Sequence, residues 1–386
     1  MKFSVCKVLM AGLLAAVMFA PVPTQARAAA ESNVTVFTLE EAFVRARRNN
    51  SSIDALNGSV RFVEQQRRSL VIDEQNAWRF GHGTLDQSAE QARRAIRSID
   101  QTVGDAPANT RMMEAVSDFL VLSSFNTARG IEEELAVLRE SIALDEVALG
   151  HTELRHSLGL ASTADVTAAR QGLEQSRAAL RAQQIGLGNQ MAALNHLLGL
   201  PSDAVIEISH ELDMEPGGIS ALVGNIHHYA DRVTATDPSI AVLRNQLDIA
   251  RRNYNSTENW FQNRQFGQTF VNLEANNTDR ATMLNALENA DRALRDGIDN
   301  MREDIRHTYN QLLQLEEQRG MLQVGLARAQ EAYANALTSL EAGMITEHEV
   351  NLARLAVRNA ESAIVANALT YENLLFAFHA PFLLAR

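Results

Sequence analysis

The chain has 386 residues, with 35 basic and 47 acidic side chains, a net charge of −12 and a single cysteine. An acidic chain of this kind carries no electrostatic footprint for nucleic acid, and one cysteine excludes a disulfide framework. Aromatic residues make up only 5%, prolines number seven, and Ala, Leu, Gln, Glu and Arg are abundant, which points to helix rather than to a compact β-rich domain.

Residues 1–30 read as a secretory signal peptide. Lys2 and Lys7 precede a thirteen-residue apolar run, Val8–Ala20, and small residues before Ala28 or Ala30 offer a cleavage site. The run is short of the roughly 20 residues a transmembrane helix needs. Removing these residues takes away Cys6, Lys2, Lys7 and Arg27 and no acid, which leaves 32 basic residues against 47 acidic ones, a net charge of −15, with every basic residue an arginine. No later segment is apolar over 18 residues.

Beyond the signal the chain is written twice. "NNSSIDAL" (Asn49–Leu56) is matched by "TDPSIAVL" (Thr236–Leu243), and "SSFNTARG" (Ser123–Gly130) falls against "HTYNQLLQ" (His307–Gln314). Gly159 stands seven residues before Val166, and Gly343 stands seven before Val350, 184 residues later. Counting in sevens gives Val166, Leu173, Leu180, Leu187 and Leu194 in the first half and Val350, Val357, Ile364, Tyr371 and Phe378 in the second, all apolar. Three positions on stand Ala169, Ser176, Gln183, Gln190 and Leu197, and then Ala353, Ala360, Asn367 and Leu374, a neighbouring seam that is small or polar up to its closing leucines. Upstream, Val121, Ala128, Leu135, Ile142 and Leu149 share the period. So do Ile305, Leu312, Leu326 and Tyr333, with Arg319 interrupting. A sustained seven-residue period means supercoiled helices, and glycine suits the left-handed turn past a helix end. Each half is therefore expected to be an antiparallel helical hairpin with Gly159 or Gly343 at its tip. Its helices should run about 45 residues, roughly 65–70 Å. Ser162 or Thr163, and Thr346, cap the outgoing helices, with Asp165, Glu347 and Glu349 in their first turns.

This organisation resembles the TolC-type outer membrane efflux family. The shared features are the opening "TLEEAFVRARRNNSSI" (Thr38–Ile53), the tips "GLASTADV" and "GMITEHEV", and "MAALNHLLGLP" (Met191–Pro201), duplicated in order. The resemblance implies an all-α chain of long coiled-coil hairpins in two tandem repeats, with little or no β structure, forming a trimeric α-barrel. Its segments are a signal peptide (1–30), a first repeat (31–200), a linker (201–225) and a second repeat (226–386). The family implies a homotrimer in the cell envelope of a diderm bacterium, in the periplasm and outer membrane. There it serves as the passive outer-membrane-side duct of a tripartite efflux or type I secretion system. The tips Gly159, Leu160, Gly343 and Met344 would dock on a periplasmic adaptor protein, which joins the duct to an inner-membrane pump. Asp165 and Glu349 are candidate pore-entrance carboxylates, because rings of acidic side chains favour cations. An equally available role for both is to favour the helix N-terminus. Ala168 and Leu352 stand where the family often has a further acid.

The family normally inserts a pair of membrane strands into each half, within Leu70–Thr110 and Ser256–Asp299 here. Ten-residue alternation of apolar and polar residues is missing there; "QTFVNLEAN" (Gln268–Asn276) is the best strand candidate, and the rest reads as polar or amphipathic helix. The barrel is expected to be absent or replaced by helical hairpins. Trp78, Phe80, Trp260 and Phe261 are candidate membrane-proximal aromatics; alternatively the tryptophans cap the bundle. A trimeric stalk or scaffold that transports nothing is the second functional reading.

Catalytic patterns are missing. His227 and His228 are adjacent, His151 and His156 are five apart, and "EHE" at Glu347–Glu349 reads as a solvated helix start. No phosphate-binding glycine loop or nucleophile elbow occurs. The chain is read as a non-enzyme without cofactor or metal.

Overall fold

A computed structural model describes residues 35–80, 85–213, 217–265 and 273–384; the side chains of 77–91 and 260–277 are not described. The signal segment lies outside these residues.

Strand β1 (Thr35–Thr38) leads into α1 (Leu39–Asn49). Thr38 caps α1 with a reciprocal box. The Glu41 N–H donates to Thr38 Oγ1 at 3.2 Å, and the Thr38 N–H donates to Glu41 Oε2 at 2.9 Å. Asn50 ends α1 and starts α2 (Ser51–Phe80), its Oδ1 accepting from the Ser52 N–H at 3.0 Å. The matching residue of the second repeat, Asp237, accepts from the Ser239 N–H at 2.8 Å and starts α7 (Pro238–Gln265), with Pro238 in the first helical position. Before it come β2 (Ile206–Ser209), paired in parallel with β1, and the short helices α5 (Ile219–Val223) and α6 (Ile226–Thr236). β2 and α5 lie in the stretch expected to be a linker, 201–225, and α6 opens the second repeat.

The hairpins themselves are α3 (Leu85–Ser157) with α4 (Thr163–Leu197), and α8 (Leu273–Glu341) with α9 (Glu347–His379). Here the expectation of 45-residue helices is corrected. α3 has 73 residues and α8 has 69, about 100–110 Å each at 1.5 Å per residue, while α4 and α9 have 35 and 33. The long helices continue through the stretches searched for strands. Even Pro107, inside α3, removes one ladder bond without ending the helix. Towards the tips α3 lies between α4 and α9; away from them it lies between α2 and α7; α8 packs on α9 and α7.

Only four residues, 81–84, separate α2 from α3, and 266–272 separate α7 from α8. The described parts of Leu70–Thr110 and Ser256–Asp299 are helical. Of the strand candidate Gln268–Asn276, residues 273–276 are helical and the rest lies outside the described residues. Among the described residues β1 and β2 are the only strands, and no helix is long and apolar enough to cross a membrane.

The heptad seams hold. Leu173, Leu194, Val350, Ile364, Tyr371 and Phe378 are buried, as are Val121, Ala128, Leu135, Ile142, Ile305 and Leu312 on the long helices; Val166, Leu180, Leu187 and Val357 are half-buried. The adjacent polar positions reach across each hairpin to the long helix. Ser176 Oγ donates to Asp145 at 2.8 Å, Gln183 Nε2 to Glu134 at 2.8 Å, Gln190 Nε2 to the Ser124 carbonyl at 3.2 Å, and Asn367 Nδ2 to the Leu315 carbonyl at 3.3 Å. An apolar seam tolerates slippage by a heptad; polar pairs at fixed heights do not, so these bonds set the register.

Each repeat has its own core where its short helices meet the hairpin. Ala42, Val121, Leu194, Leu198 and Ile206 form the first; Tyr229, Ile240, Ile305, Leu312 and Phe378 form the second. The repeats are joined by α3–α9 contacts, among them Arg358 Nη2 donating to Glu133 at 2.7 Å. α7 is seated in two notches. Gly104 on α3 leaves space for Asn245, and Gly297 on α8 leaves space for Leu243, each within 3 Å of where a Cβ would stand.

Candidate functional site

The two tips are built alike. α3 ends in a Schellman turn: the Leu160 N–H donates to the Arg155 carbonyl at 2.8 Å and the Gly159 N–H to the His156 carbonyl at 2.9 Å, with Gly159 at φ +73°. α8 ends the same way, Met344 donating to Ser339 at 2.9 Å and Gly343 to Leu340 at 2.8 Å, with Gly343 at φ +69°. Three residues past each glycine a hydroxyl caps the outgoing helix. Ser162 pairs with Asp165, and Thr346 with Glu349, both as reciprocal capping boxes. Of the two caps expected for α4, Ser162 is the one used.

Asp165 and Glu349 are thus engaged in capping. The Ser162 N–H and then the Ser162 hydroxyl hold the Asp165 carboxyl below its usual range; the Thr346 N–H and then its hydroxyl do the same for Glu349. Each acid is bound to its own cap, and both are exposed. Each carboxylate keeps acceptor sites beyond those its cap uses.

Around these caps the tips present apolar side chains to solvent. Leu154, Leu158 and Leu160 are 60–67% exposed and Met344 is 71% exposed. Exposed apolar groups also occur away from the tips, among them Phe62, Ile185 and Met321, so the tips are set apart by four such side chains gathered at the two turns rather than by exposure alone. Along the shaft, ion pairs staple the first hairpin: Arg170 with Glu153 and Arg177 with Glu146, both at 2.8 Å.

Two polar clusters between the hairpins and the β2–α5 segment went unread in the sequence. In one, His210 Nε2 lies 2.5 Å from Glu372 Oε1, and the buried Asn126 donates to Glu372 Oε2 at 2.9 Å. In the other, Glu316 Oε1 accepts from the Tyr371 hydroxyl at 2.8 Å and the Ile219 N–H at 2.7 Å. Arg319 is buried beside it, its guanidinium 5.5 Å from the centre of the Tyr371 ring. The break at Arg319 in the heptad series was the one signal of this cluster. Burial, and then the Glu316 carboxylate, push the Tyr371 phenol well above its ordinary value. These groups tie the connecting segment to both hairpins.

Trp78, Phe80, Trp260 and Phe261 lie in the stretches whose side chains are not described. Among the described residues no three histidine, cysteine or acidic side chains converge on one point. A groove of about 610 Å³ runs along α3 between α4 and α9, lined by Glu134, Val137, Ala179, Gln183 and Asn359.

This architecture has solved counterparts. A membrane protein from Pseudomonas aeruginosa matches with a TM-score of 0.67 at 14% identity, over 94% of this chain and 99% of that one. The chain has the TolC-like fold. The Campylobacter jejuni CmeC outer membrane channel shares it with a TM-score of 0.64 at 10% identity, over 94% of each chain. So does the open state of the Neisseria gonorrhoeae MtrE outer membrane channel, with a TM-score of 0.62 at 14% identity, over 89% of this chain and 88% of that one. No family model and no curated protein matches the chain by sequence. The TolC-like fold therefore rests on shape and on the duplicated pattern of residues that produces it.

Proposed function

We propose that this protein is the passive, non-enzymatic duct of an export system in a bacterial cell envelope, assembled from three copies. Its place would be the periplasm and outer membrane, its partners a periplasmic adaptor and an inner-membrane pump. The observation that carries the reading is the likeness, over most of the chain, to proteins solved as outer membrane channels. The order of the helices supports it, because α8 at one side and α4 with α2 at the other have a neighbour on one side only and are left to meet further copies. Exposed apolar tips at Leu160 and Met344 suit docking on an adaptor, and Asp165 and Glu349 would then line the entrance in rings. The segments proposed are a signal (1–30), two repeats (31–200 and 226–386) and a connecting stretch (201–225).

A second reading is a trimeric stalk that transports nothing. It draws support from the helical course of the described parts of 70–110 and 256–299, where membrane strands were sought. Imaging of the gently extracted oligomer separates the two. The duct reading expects three-fold rings with a water-filled centre in end-on views. A solid three-fold rod favours the stalk, and a stable monomer removes both.

A further inference from the structure

The two hairpins touch near their tips through a pair of histidines. His151 stands in the last turns of α3, and His348 stands in the first turn of α9. Their ring centres are 6.1 Å apart, with the planes at 74°. Nδ1 of His348 is shut off from solvent and has no hydrogen-bond partner among the described residues. An imidazole nitrogen so placed is costly to leave unsatisfied and is also the commonest protein ligand for metals.

The spacing is about 1 Å wider than one bridging ion needs. A zinc-class ion bound tetrahedrally by one nitrogen of each ring at about 2.0–2.1 Å places the ring centres about 5 Å apart, so one ring must turn inward to share it. The surroundings favour a cation. Glu347 and Glu349 flank His348 in the chain, and the Glu349 carboxylate interacts electrostatically with the His348 ring. His151 is exposed, so its ring can turn and water can complete the coordination.

We propose that His151 and His348 form a two-histidine site for a borderline divalent ion, Zn²⁺ foremost, with Ni²⁺ and Cu²⁺ as alternatives of the same ligand preference. The ion clasps the first repeat to the second near the end where both hairpins turn. The proposal goes beyond the export reading and stands apart from it, because it is read out by metal binding alone.

Zinc chloride titrated against a chromophoric chelator, with the full chain purified without a polyhistidine tag, tests it at neutral pH. One zinc per chain is expected. His151→Ala and His348→Ala should each weaken binding at least about tenfold, equivalent to about 1.4 kcal/mol. His227→Ala combined with His228→Ala should leave it unchanged. Affinity unaltered by His151→Ala or His348→Ala overturns the site, and so does an absence of binding in the unaltered chain. Circular dichroism confirms that the variants fold; should His348→Ala fail, His348→Gln, which keeps a polar side chain, takes its place.

Discussion

Phe378 lies flat against Tyr229, with ring centres 4.8 Å apart and planes within 2° of parallel. The first repeat fills the matching place with Leu194 and Ala42, both wholly buried in its core. Duplication has kept the position and changed the volume. Phe378→Ala should therefore cost about 3–5 kcal/mol and Leu194→Ala about 2–5 kcal/mol. Guanidinium unfolding of the two variants checks this. Losses below about 1 kcal/mol would mean that these cores do not hold the repeats together.

The glycines at the helix ends should separate by their surroundings. At Gly159 and Gly343 a Cβ meets nothing within 4 Å, so alanine there costs only the left-handed backbone, about 1–2 kcal/mol. Gly199 has φ +66° and its Cβ would come 2.6 Å from Asn49 Oδ1, the side chain that donates to the His196 and Leu197 carbonyls. Gly199→Ala should be the most damaging of the three. Equal losses at all three would show that crowding by Asn49 is relieved by rotation.

Much of this was legible in the sequence, and the reasons are local. A seven-residue period and a glycine followed three residues later by Ser or Thr are properties of neighbouring positions, so the seams, tips and caps could be read directly. The lengths of α3 and α8 could not. Nothing near Pro107 or Gly130 announces that a helix continues, because packing overrides local propensity, on α2 and α7 around Pro107 and on α4 and α9 around Gly130. The joining of His151 to His348, or of His210 to Glu372, depends on how one hairpin lies on the other. Sequence spacing carries no trace of that.

Acid should loosen the tips first. The carboxyls of Asp165 and Glu349 titrate below their unfolded values because the cap N–H groups favour the charged form. Their contribution is present above the unfolded values near 4 and is lost as pH falls through the lower folded ones. Amide exchange, corrected for its intrinsic pH dependence, should show the first turns of α4 and α9 losing protection below about pH 4, before the seams do. Asp165→Asn should reproduce the loss in α4 at neutral pH. Unchanged protection in that variant would show that Ser162 alone suffices as a cap.

Alkali should act at the other cluster. The raised phenol of Tyr371 means that the folded chain holds its proton after the unfolded chain has released it. Stability from this group is complete below about pH 10 and falls as pH climbs beyond it. Tyr371→Phe should flatten that decline. It should also cost about 1–2 kcal/mol at neutral pH by taking a donor from Glu316. A decline of equal slope in the variant would assign it to other groups.

The unequal lengths of the helices divide the molecule mechanically. α3 and α8 run from tip to far end as unbroken rods, whereas their partners are jointed where α4 gives way to α2 and where α9 gives way to α7. Asn49 bridges the first joint by its hydrogen bonds to the end of α4, and the stacked Tyr229 and Phe378 rings close the second. A twist applied at a tip travels the full length of a rod, while the jointed side can yield only at these two places. The chain is thus a pair of levers with one fulcrum each, and the fulcrums are where the β1–β2 pair and the short helices gather.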